Sequence, residues 1–304
     1  MLALTQGDAA GIGPELALQV AAEEPDCVLF ASWEVLEKVA VRLKLPLPEK
    51  KRVVDIPWPT AAKLTPGEIS EAAGAHSFAC LAAAVEATRK GQAAAVVTNP
   101  IHKEAWAAAG LPYPGHTEYL FEKSATGSHA MMLTAPEITC SLVTTHVSLA
   151  EVPALLTRER LLEVLFLTAE AMERVHGRAA RLTVPGLNPH AGEGGLFGRE
   201  ELDVIIPALE EARKSGLDVV GPLSPDTCFL PAVREATDAY VCHYHDQGLI
   251  PLKTLAFDEG VNVTLGLDFV RTSVDHGTAF DIAWQGKAST TSLKEATRVA
   301  RQLS

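Results

Sequence analysis

Short apolar runs alternate along this chain with longer stretches of helical periodicity. Runs at 2–5, 28–31, 53–56, 94–98, 130–134, 139–144, 182–185, 239–242 and 261–265 predict strands. Segments 14–22, 69–90, 118–124, 158–175, 200–215 and 293–302 carry a helical pattern. Strand-then-helix alternation is the mark of a parallel α/β sheet. Pro14 and Glu15 suit the first turn of a helix, where a missing N–H costs nothing and an acid meets the positive end of the dipole. Thr157 is a candidate N-cap for 158–175, with Arg160 in place of Glu at the capping-box position. Thr117 is a candidate N-cap for the helix that follows it. Five prolines (Pro46, Pro48, Pro57, Pro59 and Pro66) between residues 45 and 67 mark a surface excursion.

Three of the apolar runs end in polar motifs that each hold a histidine. They are TTH at 144–146, GLNPHAGEGG at 186–195 and YHDQG at 244–248, placing His146, His190 and His245 at strand ends. Open α/β sheets build their sites over such ends. Three neutral imidazoles there suit one divalent metal with coordination positions left open, as in a catalytic site. Each alone is equally compatible with a histidine that caps a loop or satisfies a buried carbonyl.

Other motifs carry further chemistry. GDAAGIGPE at 7–15 links a strand to a helix, but its glycine spacing is neither that of a dinucleotide fingerprint nor that of a phosphate-binding P-loop. GHTE at 115–118 offers amides, an imidazole and a hydroxyl at a helix start, a cradle for phosphate or carboxylate. Lys253, Asn262 and Arg271 are candidate anion contacts. His276, Gly277 and Asp281 lie in DHGTAFDIA, a loop able to approach a nucleotide. His245–Asp246 also resembles the pair of helical metal-dependent phosphohydrolases, but here it follows a strand-like run.

Composition narrows the partners. Acidic residues outnumber basic ones by 38 to 26, a net charge of −12, which argues against nucleic acid. A small anionic substrate remains compatible through a local basic pocket. The five cysteines, odd in number and without CxxC spacing, argue against a disulfide framework or structural zinc site and for a reducing compartment. The first residues lack a basic-then-apolar leader, and no apolar stretch approaches the roughly 18 residues needed to span a bilayer. The expectation is a soluble cytoplasmic protein with no membrane partner.

Taken in order, GDAAGIGPE, GHTE, TTH, GLNPHAGEGG, YHDQG, GVNVTLG at 260–266 and RTSVDHGTAFD at 271–281 resemble the 4-hydroxythreonine-4-phosphate dehydrogenase family of vitamin B6 biosynthesis from end to end. The resemblance implies a two-domain α/β/α fold like that of isocitrate and isopropylmalate dehydrogenases, with the active site in the interdomain cleft. It implies a first domain of residues 1–125 and 250–304 and a second of 126–249. It further implies a homodimer, and one divalent metal (Zn, Mg, Co or Mn) held by His146, His190 and His245 with both subunits contributing. Substrate contacts carry over to His116, Thr117, Lys253, Asn262 and Arg271, and NAD or NADP contacts to His276, Gly277 and Asp281. Lys253 and Asp226 are the candidates for taking the hydroxyl proton. The implied reaction oxidises 4-phosphohydroxy-L-threonine to 2-amino-3-oxo-4-phosphooxybutanoate, which decarboxylates to 3-amino-2-oxopropyl phosphate. A paralogue acting on 4-phosphothreonate or 4-phosphoerythronate would use the same motifs, and a metal-dependent hydrolase or lyase would need no nicotinamide. Trp284 departs from the family, where a small residue is usual, and is expected to stack on the adenine or obstruct it.

Overall fold

The computed structural model describes residues 1–58 and 61–304, so Pro59 of the proline-rich excursion lies outside the described residues. In chain order the strands are β1 (Leu2–Thr5), β2 (Cys27–Ala31), β3 (Val53–Asp55), β4 (Ala95–Thr98), β5 (Ala130–Ala135) and β6 (Ile138–Leu142). They continue as β7 (Arg181–Pro185), β8 (Asp218–Leu223), β9 (Ala239–Cys242), β10 (Val261–Leu265) and β11 (Val270–Val274). The helices are α1 (Gly13–Glu23), α2 (Trp33–Leu43), α3 (Glu71–Arg89), α4 (Lys103–Ala108), α5 (His116–Lys123) and α6 (Val152–Leu155). Then come α7 (Arg158–His176), α8 (Ile206–Lys214), α9 (Pro231–Glu235), α10 (His245–Leu255) and α11 (Thr291–Leu303).

The chain forms two α/β units, Met1–Thr126 with Leu267–Gln302, and Gly127–Gly266. In the first, strands run in the order β3-β2-β1-β4-β11, all parallel. The chain turns outward from β1 in both directions, to β2 on one side and β4 on the other, so the β1 and β4 ends form a topological switch point, where such sheets bind ligands. Its core joins strand residues Ala3 and Val96 to Leu81, Trp106 and Leu120 of the helices, all fully buried. Trp106 satisfies its indole N–H by donating to Ser77 Oγ, 2.8 Å away.

In the second unit the order is β10-β5-β6-β9-β7-β8. The β10–β5 and β5–β6 pairs are antiparallel, whereas β6, β9, β7 and β8 are parallel. The C-terminal ends of β6, β9 and β7 therefore lie along one edge. Leu133, Leu142, Tyr240 and Leu249 build its core. Residues 250–266 belong to this unit and not, as expected from the sequence, to the first. The reason is pairing: β10 lies antiparallel against β5 from Val261–Thr134 to Leu265–Ala130.

Nine expected strands are present with shifts of one or two residues at their ends, while β8 and β11 escape the hydrophobic pattern. The first contains Pro222, and the second, Val-Arg-Thr-Ser-Val, is mostly polar yet almost wholly buried. Helix α10 escaped because Gly248 and Pro251 interrupt it. Thr157 caps α7 as expected, its side chain accepting the Arg160 N–H at 3.1 Å. Thr117 does not cap α5. The cap position is Gly115, and Thr117 lies exposed inside the first turn.

Candidate active site

In the first unit, the ends of β4 and β11 place a cation beside an imidazole. Arg271 is 4% exposed, and its Nε and Nη2 both donate to Thr98 Oγ1, at 3.2 and 2.8 Å. Thr98 faces it because β4 and β11 pair in parallel with Arg271 opposite Val96. Burial lowers the guanidinium pKa to about 10, which leaves it charged at neutral pH. Arg271 Nη2 also lies 3.4 Å from His116 Nδ1. Burial, aided by that neighbouring positive charge, holds the His116 pKa well below the ordinary imidazole range. A neutral ring that accepts from Arg271 at Nδ1 carries its proton on Nε2. That Nε2 is buried and has no acceptor among the described residues. The guanidinium and the His116 N–H thus suit an anion, with the Thr117 hydroxyl one residue further along α5.

The GDAAGIGPE turn and the 275–286 loop pack on each other in the same unit. Ile12 N donates to Thr278 O, Trp284 Nε1 to Ala9 O and Gly286 N to the buried Glu15 carboxylate, at 3.0, 3.0 and 3.2 Å. A Cβ on Gly11 would stand 2.7 Å from Thr278 O, so only glycine allows this approach. Trp284 is 5% exposed. It fills the seam between the two loops, with its indole turned inward against Ala9. Gly277 and Asp281 are exposed on the same loop, and His276 Nδ1 donates to Gly277 O at 3.0 Å.

In the second unit the three strand-end motifs lie along one edge. His146 and His245 come together, with ring centroids 5.4 Å apart. His245 opens α10 three residues past β9, and its Nδ1–H donates to Asp246 Oδ1 at 2.7 Å. An Nδ1–H held by a carboxylate leaves Nε2 as the ring's lone-pair donor, the usual preparation of a metal-binding histidine. The donor set therefore fits a divalent ion at this pair. His190 is not brought to it: its Nδ1 lies 3.3 Å from Glu193 Oε2 and its ring packs on Phe197. Among the described residues, no three His, Cys, Asp or Glu side chains of one chain converge as a metal cluster.

Lys253 shares a groove of about 440 Å³ with His245, Asp246, Leu249, Ile250 and Thr254 on one face of α10. Asn262 lies half-buried on β10 opposite Leu133. Asp226 is exposed, and the Ser224 hydroxyl at 2.7 Å lowers its pKa.

A family model described as pyridoxal phosphate biosynthetic protein PdxA matches residues 23–300. This chain belongs to the PdxA family. A 4-hydroxythreonine-4-phosphate dehydrogenase of Chromobacterium violaceum is 45% identical to it across 100% of this chain and 96% of its own. A D-threonate 4-phosphate dehydrogenase of Pectobacterium atrosepticum is 38% identical, covering 100% of this chain and 99% of its own. The crystal structure of a 4-hydroxythreonine-4-phosphate dehydrogenase from Klebsiella pneumoniae superposes with a TM-score of 0.89 at 38% identity, over 99% of both chains.

Two supports of this PdxA-family site were missed from the sequence. His243 is fully buried: its Nε2 donates to Pro185 O at 2.7 Å, its N–H to Gln247 Oε1 at 2.7 Å, and its carbonyl accepts from Thr144 Oγ1 at 2.7 Å. One residue thereby ties together the ends of β6, β7 and β9. The other is Glu201, which holds the loop carrying His190. A buried polar residue in an apolar run was the available signal for His243. For Glu201 it was an acid placed shortly after a glycine-rich loop.

Proposed function

We propose that this chain is a metal-dependent dehydrogenase that oxidises 4-phosphohydroxy-L-threonine with NAD or NADP to 2-amino-3-oxo-4-phosphooxybutanoate, which loses carbon dioxide to give 3-amino-2-oxopropyl phosphate. The observation that carries this reading is the buried Arg271–His116 pair, a fixed cation beside a neutral N–H donor. A phosphorylated hydroxy acid presents an anion that a guanidinium and a neighbouring N–H can hold. His116, Thr117 and Arg271, with Lys253 and Asn262, hold its charged ends and orient one C–H for transfer. His276, Gly277 and Asp281 contact the nicotinamide cofactor.

His146, His190 and His245 hold one divalent ion (Zn, Mg, Co or Mn), with both subunits of a homodimer contributing. When bound, the ion acts as a Lewis acid on the substrate hydroxyl and on the negative charge that develops in oxidation and decarboxylation. Lys253 is the better candidate for receiving the hydroxyl proton, because it shares a groove with His245. Asp226 is the weaker base, since the Ser224 hydroxyl stabilises its charged form. The dimer reading is supported by exposed apolar side chains close in sequence to His146 and His190 (Val147, Leu149, Leu196 and Phe197) and by exposed Ile250, which lines the His245 groove. Such exposure is costly on a monomer and is relieved by a second copy.

A second reading is oxidation of D-threonate 4-phosphate, favoured by the full-length similarity to a relative of that name. It keeps the phosphate, the metal and the reacting hydroxyl, and replaces the 2-ammonium by a hydroxyl. The deciding experiment follows reduction of NAD and NADP by metal-loaded protein given each substrate. A higher kcat/KM for the amino acid supports the first reading, and a higher value for the sugar acid supports the second. Reduction of neither cofactor with either substrate overturns both.

A further inference from the structure

The loop that carries His190 has an unusual backbone. His190, Ala191, Gly192, Glu193 and Gly194 are all left-handed, with φ of 53°, 53°, 80°, 44° and 64°. Three of the five carry a Cβ, which meets the carbonyl oxygen in this conformation and disfavours it. Five such residues in succession do not persist by local preference, so something outside the turn must impose them. The His190 side chain is 59% exposed and touches Glu193 and Phe197 of its own loop. Its direction is therefore set by the backbone beneath it.

We propose that Glu201 is the residue that imposes this backbone, and so positions His190 for metal binding. This rests on the reading of His190 as a metal ligand. Glu201 is 1% exposed, and its carboxylate accepts twice from one residue, Asn188 N at 2.7 Å and Asn188 Nδ2 at 2.9 Å. The second hydrogen of Asn188 Nδ2 goes to Glu200 Oε2 at 2.7 Å. Asn188 lies two residues before His190, at the entry to the left-handed run. The turn closes over the same carboxylate: a Cβ on Gly192 would stand 2.7 Å from Glu201 Oε2, and one on Gly186 3.2 Å from Oε1. Glu201 opens a single wide π-turn, Glu201–Ile205, which sets it beside Glu200 so that both acids meet one asparagine. Such turns recur at functional sites.

Two acceptors are required at this point, and a carboxylate alone supplies both. In Glu201→Gln, the new side-chain amide would face either the Asn188 N–H or Asn188 Nδ2 with an NH₂ group of its own. Rotating the Asn188 amide to relieve a clash at Nδ2 would turn its oxygen toward Glu200. The substitution thus loses one bond in either arrangement while keeping shape and volume.

The test measures Zn²⁺ affinity by competition with a chromophoric chelator, and the visible spectrum of the Co²⁺-loaded enzyme. It compares wild type, Glu201→Gln, Asn188→Ala, the double variant and His190→Ala. Glu201→Gln is expected to weaken Zn²⁺ binding by about 10–100-fold, as loss of an outer-shell support does, and to shift the Co²⁺ bands. Asn188→Ala should show the same loss, and the double variant no more than either single one, because the pair acts through one contact. Wild-type affinity and spectrum in Glu201→Gln, beside a clear loss in His190→Ala, would overturn the proposal and leave the metal reading intact. Wild-type affinity in His190→Ala would remove both. If Glu201→Gln does not fold by circular dichroism, Asn188→Ala decides, and wild-type binding by it overturns the proposal.

Discussion

Arg271 sits where few charged side chains do, inside a strand and almost closed to water. Its guanidinium is held toward Thr98 and His116 by bonds that would be lost if it turned away. Charge-assisted bonds to a buried anion are each worth about 1.5–3 kcal/mol. Arg271→Ala is therefore expected to raise the KM for the phosphorylated substrate by about 10–100-fold, with a smaller effect on kcat. Steady-state kinetics with varied substrate checks this, and an unchanged KM would mean Arg271 makes no such contact. Lysine should restore little, because it lacks the planar fork that spans Thr98 and His116.

At the scale of elements, strand ends are fastened by charged clamps outside the core. Asp238, just before β9, accepts from both terminal nitrogens of Arg178 at 2.8 Å and from the Arg181 N–H of β7 at 2.7 Å. Arg178 holds its pKa below the ordinary carboxylate range. The folded-state value lies below the unfolded one, so this contribution is complete above the unfolded pKa of about 3.9. It disappears as pH falls through the folded value. Asp238→Asn should cost about 2 kcal/mol near neutrality, with the gap to wild type closing as pH falls below the unfolded value and through the lower folded one. Urea unfolding across that range measures it, and a gap independent of pH would assign the effect to packing. The left-handed turn at 190–194 shows the opposite arrangement, an element that local preference disfavours and one acid holds in place.

For the whole molecule, the apolar side chains beside the three histidines bear on assembly. Ile250 is 64% and Phe257 71% exposed on and just past α10, and Leu196 is 73% exposed beyond the His190 turn. Placing a charge there opposes burial by a second copy. Under the proposed shared site, Ile250→Glu is expected to lower the fraction of dimer in sedimentation velocity and to weaken Zn²⁺ binding in parallel. A monomeric variant with wild-type metal affinity would mean that one chain suffices for the site. No described helix is long and apolar enough to cross a membrane.

By itself the sequence determined the α/β class, nine of the strands and the motifs at their ends. These follow from local rules: apolar runs of strand length, helical periodicity, and glycines where two loops must touch. His116, Arg271 and the three motif histidines stood out as candidates because an imidazole or guanidinium sits in each case among hydroxyl-, amide- or glycine-rich neighbours. Tertiary structure decided what depends on distant partners. It buried Arg271 in a mostly polar strand against Thr98, 173 residues away. It gave residues 250–266 to the second unit through pairing of β10 with β5. It turned Trp284 inward to Ala9, and it placed Glu201 and His243 under the histidine loops. A buried polar side chain is tolerated only where a partner waits for it, and the fold alone sets which partner that is.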